Sequence, residues 1–185
     1  MVDSLPKGLI LLGGQSSRMG SDKAFLEWNG EKVLDKLLER LKAITSDVCL
    51  SVNDSQYHLL KETHQCIKDK YKLKGPMGGI LSSLEALKSD LLVLAIDMPL
   101  IDKETLMPLI EAGVSSGKTT AFTNPNHQWH PLPSYWPKNA VDSLKTRLET
   151  NQLALNQYLK TFGKAIPIGD QLPYFLNVNR PTDIK

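Results

Sequence analysis

Apolar runs of strand length recur along the chain at 8–12, 48–52, 91–96 and around 121–123. Between them lie stretches with a helical period. Leu34, Leu37, Leu38, Leu41 and Ile44 fall at i, i+3, i+4, i+7 and i+10, which places them on one face of a helix. Ile80, Leu81, Leu84 and Leu87 predict a second helix, and Leu106, Leu109 and Ile110 a third. The third follows Asp102, a side chain suited to an N-cap, with Glu104 in its first turn. Apolar runs alternating with amphipathic helices predict βαβ units, hence an α/β fold with a mainly parallel sheet covered by helices. Trp28-Asn29-Gly30-Glu31 carries the Asn-Gly signature of a tight turn between two short extended pieces. Beyond Thr123 the pattern loosens, and Pro125, Pro131, Pro133 and Pro137 follow closely on one another. The second half is therefore expected to fold over the sheet rather than to extend it by plain repetition, which leaves the sheet mainly parallel but mixed. No internal repeat or low-complexity segment interrupts the pattern.

Composition narrows the class without choosing a chemistry. A chain of 185 residues builds one substantial core, so a single domain over 1–185 is expected, with halves of about 1–100 and 101–185. The net charge of +2 is too small for wholesale binding of nucleic acid or a membrane surface. The apolar stretch at 8–12 is shorter than a signal-peptide core or a membrane span, which gives the expectation of a cytoplasmic protein. Cys49 and Cys66 are isolated thiols without C-x-x-C spacing, and a structural, buried role is expected for them.

Three polar clusters carry chemistry, and each falls where a parallel strand runs into a helix, the place at which open α/β sheets bind ligands. In the first, Leu11-Leu12-Gly13-Gly14-Gln15-Ser16-Ser17-Arg18-Met19-Gly20-Ser21-Asp22-Lys23 follows the first apolar run. Gly13 and Gly14 let backbone N–H groups approach phosphate oxygens, and Arg18 and Lys23 supply the charge to clamp a triphosphate. The alternative is a glycine-bearing turn with two solvated cations. In the second, Asp97-Met98-Pro99 ends the most continuous apolar run. A carboxylate there can hold Mg²⁺ against a triphosphate, or can merely satisfy turn N–H groups. In the third, Lys74-Gly75-Pro76-Met77-Gly78-Gly79-Ile80 opens the second helix after Lys68, Lys70 and Lys72. Its glycines can bring backbone close to a ligand, while most of the lysines read as a solvated run.

Two further motifs are set aside. A P-loop spelled G-x-x-x-x-G-K-[ST] would need glycine at position 112, which is alanine, so Gly113–Thr119 reads as a helix end turning into a strand. The opening loop also lacks the G-x-G-x-x-G fingerprint of dinucleotide-binding dehydrogenases. His127 and His130 flank Trp129 without a third ligand of suitable type, which argues against zinc.

Taken in order, L-x-G-G-x-S-x-R-M-G-x-D-K-A-F-L, Asp69 after Ile67, Gly75-Pro76-Met77-Gly78-Gly79, Asp97-Met98-Pro99, His130-Pro131 and Asn177-Val178-Asn179-Arg180-Pro181 resemble the molybdenum cofactor guanylyltransferases, MobA-type members of the nucleotidyltransferase superfamily. The resemblance implies a Rossmann-like three-layer α/β/α sandwich of the nucleotide-diphospho-sugar transferase type, with a nucleotide-binding first half and an acceptor-binding second half. It implies transfer of GMP from GTP to the terminal phosphate of molybdopterin, with Mg²⁺ as cofactor and pyrophosphate as product. It places Leu11, Leu12, Gly13, Gly14, Lys23, Ser51, Asp69, Gly78 and Asp97 on the nucleotide, and His130, Asn177 and Asn179 on the acceptor. Arg18, Lys23 and Asp97 take the catalytic roles, with Asp97 as metal ligand. Proteins of molybdenum cofactor biosynthesis, or target enzymes, are the expected partners. The chain departs from the family pattern at Leu12, where alanine is usual, at Ser51, where some members carry asparagine, and after Lys185, where a longer final helix is common. A cytidylyltransferase or sugar-phosphate nucleotidyltransferase of the same fold is the alternative reading. A nucleotide-binding regulator without turnover is the alternative from another class.

Overall fold

The computed structural model describes residues 5–12 and 26–169. In chain order the first elements are β1 (Lys7–Leu11), β2 (Glu27–Trp28), β3 (Glu31–Lys32), α1 (Val33–Lys42), β4 (Val48–Val52), α2 (Asp54–Leu60), β5 (Cys66–Lys68) and α3 (Gly75–Leu87). They are followed by β6 (Leu91–Ala95), α4 (Lys103–Ser116), β7 (Thr120–Thr123), β8 (Trp129–Trp136), α5 (Val141–Glu149), α6 (Leu155–Phe162) and β9 (Lys164–Pro167). Seven strands form one mixed sheet in the order β5-β4-β1-β6-β8-β7-β9, and β2 and β3 make a separate hairpin. β5, β4, β1 and β6 are mutually parallel, and β8 is antiparallel to both neighbours.

The apolar runs become strands buried on both faces, which explains why they lack an alternating polar side. In β1, Leu9 and Leu11 enter one core, while Ile10 and the following Leu12 enter the other. The first core lies under α3, α5 and α6, with Ile80, Leu84, Leu144 and Tyr158 among its members. The second lies under α1 and α4 and includes Leu37, Leu41, Leu106 and Leu109. The three layers of an α/β/α sandwich follow directly from this two-sided burial.

Local signals set the boundaries. α1 buries Val33, Leu34, Leu37 and Leu41, so a cavity-forming change such as Leu37→Ala is expected to cost ~2–5 kcal/mol. Ile44, which the helical period assigns to this helix, is buried in the turn just after it. The β2–β3 turn places Asn29 and Gly30 at φ of 52° and 78°, the left-handed pair that an Asn-Gly hairpin turn requires. Asp102 caps α4 by accepting from the Thr105 N–H at 2.8 Å, and Gly117 closes it in a left-handed conformation at φ 62°. The Gly113–Thr119 stretch is thus a helix end leading into β7.

The second half does not repeat the parallel units of the first, but neither does it simply fold over the sheet. It extends the sheet by three strands, and the proline-bearing β8 sits inside the sheet between β6 and β7. The register explains how this is tolerated. Ala121 pairs with Ser134 but the next residue, Phe122, pairs with His130, so Pro131 and Pro133 fall in an irregularity of the ladder. A proline lacks the N–H that a regular rung would need, and a break in pairing is where that lack costs least. The Lys68–Lys72 run is likewise spoken for: Lys68 and Lys72 pair with Asp54, and Lys70 with Glu85. Among the described residues, no helix is long and apolar enough to cross a membrane.

Candidate active site

The connections of the parallel strands create the crevice. From β1 the chain moves outward through β4 to β5, then α3 carries it back to β6 on the other side of β1. The order reverses between β1 and β6, and the carboxyl ends of these two strands flank the opening. Leu12 leaves β1 there, and Asp97 follows β6, with the Ile96 N–H donating to the Leu11 carbonyl at 3.3 Å. On the far side of Leu12, its N–H donates to the Ser51 carbonyl at 3.0 Å, and the Asp69 N–H donates to Val52 at 2.9 Å. Leu11, Leu12, Ser51, Asp69 and Asp97 therefore line one edge of four neighbouring strands. His130, near the start of antiparallel β8, belongs to the same edge on the other side of β6. Gly13, Gly14, Arg18, Lys23, Asn177 and Asn179 lie outside the described residues.

Asp69 is the most constrained carboxylate of this edge. Its Oδ1 accepts from the Tyr71 N–H at 2.8 Å and from the Ser82 hydroxyl at 3.2 Å. Burial raises its pKa above the ordinary carboxylate value, against the lowering effect of those two hydrogen bonds. Ser82 is fixed in turn, donating to Gly78 O at 2.8 Å and accepting from the Lys70 N–H at 2.9 Å.

The glycines of the α3 opening do close-packing work. A Cβ on Gly78 would lie 2.6 Å from the Tyr71 carbonyl oxygen, and one on Gly79 would lie 2.5 Å from the Ser51 Oγ. They bring the first turn of α3 against the ends of β4 and β5, and Ser51, only 4% exposed, aims its hydroxyl at that contact. Helix–strand approach is thus one requirement for glycine at these two positions.

Two supporting residues escaped the sequence reading. Arg40 of α1 donates through Nη1 to the carbonyls of Pro99 and Ile101, at 2.6 and 2.7 Å, and so ties down the segment that follows Asp97. Gln56 of α2 donates through Nε2 to the Leu12 carbonyl at 3.3 Å, at the other lip of the crevice. The Asn53-x-x-Gln56 spacing is a capping box and could have been found in the sequence; the Arg40 contact spans 59 residues and could not.

His130 is partly buried, and burial lowers its pKa, which favours the neutral imidazole. For a divalent cation, the described residues contain no cluster of three His, Cys, Asp or Glu side chains. Mg²⁺ bound to a nucleotide does not need one, because one or two carboxylates plus phosphate oxygens and water complete its octahedron. A carboxylate at the β6 exit fits that donor set, and Asp97 is the residue that would hold the ion.

Comparison with known proteins agrees with this geometry. Residues 8–163 match the family described as MobA-like NTP transferase domain. A probable molybdenum cofactor guanylyltransferase from Peptoclostridium acidaminophilum is 31% identical over 158 residues, covering 82% of this chain and 71% of that protein. The molybdenum cofactor guanylyltransferase of Pseudomonas fluorescens is 28% identical over 94% of this chain and 88% of its own. In structure, the molybdopterin-guanine dinucleotide biosynthesis protein A of Archaeoglobus fulgidus superposes with a TM-score of 0.82 over 96% of this chain and 94% of that one, at 24% identity, which speaks for the fold. A family match that runs from the first strand to the end of the last helix means that the chain belongs to the MobA-like NTP transferase family.

Proposed function

We propose that this protein transfers GMP from GTP to the terminal phosphate of molybdopterin, forming the guanine dinucleotide form of the cofactor and pyrophosphate. The observation that carries the reading is that Leu12 and Asp97 follow the carboxyl ends of the neighbouring strands β1 and β6, with the glycine, Arg18 and Lys23 motif next in sequence after Leu12. A phosphate oxygen of molybdopterin attacks the α-phosphorus of GTP, the bond from that phosphorus to the β-phosphate bridging oxygen breaks, and the electron pair leaves with pyrophosphate. The nucleophile is already an anion, so this chain's task is to position two polyanions and to offset their charge. Asp97 orients the metal-bound nucleotide, and Lys23 and Arg18 stabilise the departing pyrophosphate. Mg²⁺, when bound, neutralises phosphate charge beside Asp97. His130, Asn177 and Asn179 form the acceptor side, and a neutral His130 is suited to donate or accept a hydrogen bond there rather than to act as a cation.

The test is formation of the guanine dinucleotide from GTP, Mg²⁺ and molybdopterin by the purified protein. Asp97→Asn is expected to lower the rate at least about a hundredfold while leaving the circular dichroism spectrum and Tm intact, the loss typical of a group that stabilises charge in the transition state. Use of CTP in place of GTP would reassign the protein as a cytidylyltransferase. Tight GTP binding with no pyrophosphate released from any nucleotide would make it a regulator.

A further inference from the structure

The parallel pairing of β1 with β4 ends in an unusual way. Leu11 is in register with Ser51, and the Leu12 N–H continues the ladder to the Ser51 carbonyl at 3.0 Å. In a parallel ladder the next rung would run from the Asn53 N–H to the Leu12 carbonyl. That rung is replaced by a side chain. The Asn53 N–H donates instead to Gln56 Oε1 at 3.1 Å, and the Leu12 carbonyl accepts instead from Gln56 Nε2 at 3.3 Å. The Gln56 carboxamide, 2% exposed, is inserted between the two strands as a peptide group would be, using its donor and acceptor ends at once.

We propose that Gln56 is a positioning residue of the nucleotide edge: by standing in the place of one ladder rung, it parts β1 from β4 at Leu12 and sets where the Leu12 carbonyl lies at the strand exit. The inference rests on the reading that this edge binds a nucleoside triphosphate. The insertion has a physical logic. A direct rung would draw the Leu12 carbonyl onto the Asn53 N–H and bring the two strand exits together. The buried carboxamide satisfies both backbone groups while keeping the strand exits apart, and neither group is left with an unmet hydrogen bond. Its backbone is itself pinned, since the Gln56 N–H donates to Asn53 Oδ1 at 2.9 Å in the α2 capping box. In this role Gln56 acts through the Leu12 carbonyl.

The role separates from plain helix capping by substitution. GTP binding in the presence of Mg²⁺ is measured by titration calorimetry, and KM is measured separately for GTP and for molybdopterin. At about pH 8, Gln56→Leu, which loses both carboxamide hydrogen bonds, and Gln56→Glu, which loses the one to Leu12, are each expected to weaken GTP binding at least roughly five- to tenfold, with the molybdopterin KM unchanged. The ionised carboxylate of Gln56→Glu can still accept from Asn53 but cannot donate to Leu12. Lowering the pH to about 5 protonates a growing share of it, so its GTP affinity relative to the parent at the same pH should recover, while that of Gln56→Leu should not. Asn53→Ala removes the cap but leaves the rung, and should lower Tm with GTP affinity within about twofold of the parent. Parent-like GTP binding by both Gln56 variants overturns the proposal, as does an equal loss in Asn53→Ala. If Gln56→Leu does not fold, the pH profile of Gln56→Glu decides alone, and a flat ratio counts against the inference. A parent that binds no nucleoside triphosphate overturns both this inference and the functional reading, whereas failure of the Gln56 variants alone leaves that reading standing.

Discussion

Asp69 shows how a single side chain can be held at a cost. Burial disfavours its charged form, so its folded-state pKa lies above the unfolded value of about 3.9. The sign follows: this group's contribution to stability is fully present below the unfolded pKa and is lost as pH rises through the folded one, so at neutral pH the ionised carboxylate opposes folding. Asp69→Asn keeps an oxygen to accept from Tyr71 and Ser82 and removes the charge. It is therefore expected to raise Tm at pH 7, with the difference narrowing as pH falls into the carboxylate range, and to weaken GTP binding. A lower Tm at neutral pH would sink this account. The two cysteines illustrate the opposite, quiet case. Burial pushes the Cys49 thiol up to about 11, and its Sγ contacts Gln65 Oε1 at 2.9 Å. Cys49 belongs to the core beneath α3, while Cys66 packs against the core on the other face of the sheet. They read in the sequence as structural thiols, and that is how Cys49 is placed.

Among the elements, α3 and α1 hold the two lips of the crevice, and each offers a sharp test. In Gly79→Ala the new methyl would meet the Ser51 Oγ at 2.5 Å, while the Ser51 Cβ stands at 3.6 Å, an ordinary contact. The single change is expected to cost ~1–3 kcal/mol, and most of that cost should vanish in a Ser51→Ala background, where the oxygen is gone. Thermal or urea unfolding of the four proteins of this cycle measures the coupling, and simple additivity would show that the contact does not govern the cost. Arg40→Ala strips the donor from two backbone carbonyls behind Asp97. A loss of ~1–3 kcal/mol in unfolding free energy is expected, together with a fall in kcat that Arg40→Lys restores only partly, because the shorter, flexible lysine does not hold its nitrogen where the planar guanidinium places Nη1. An unchanged kcat in a folded Arg40→Ala would mean that the Asp97 segment holds its shape unaided. At this scale the sequence was legible wherever signals are local. The α4 cap at Asp102, the Asn29-Gly30 turn and the Gly117 helix stop all stand where their residue types put them. α2, α5, α6 and the short β5 and β9 were not foreseen, and β8 was hidden by prolines whose tolerance depends on the pairing partner across the ladder.

For the molecule as a whole, the decisive feature is that one sheet runs through both halves of the chain. β8 lies against β6, α5 and α6 share a core with α3, and Trp136 packs on Tyr158 with ring centroids 5.1 Å apart. Neither half has a core of its own to fall back on. Unfolding is expected to be a single transition, with the fluorescence of the tryptophans, including buried Trp136, and far-ultraviolet circular dichroism giving the same midpoint. A chain ended after Gly117, which lacks β7, β8, β9, α5 and α6, should not fold cooperatively, since β6 would lose its partner on one side and α3 its cover. Two resolved transitions would argue instead for two independent units.

What the sequence by itself determined was the class of the fold, because strands that are apolar throughout demand cover on both faces, while a glycine motif with two cations and an aspartate at a strand end named the residues from which phosphate chemistry is proposed. Those properties reside in neighbouring residues, and neighbouring residues are what a sequence displays. Tertiary structure alone decided which strand exits stand side by side, that α3's glycines serve the approach of a helix to Ser51 and Tyr71, and that Arg40 and Gln56 brace the two lips of the crevice. Each of these is a contact between segments distant along the chain, and its worth depends on a geometry that forms only when the sheet closes around β1.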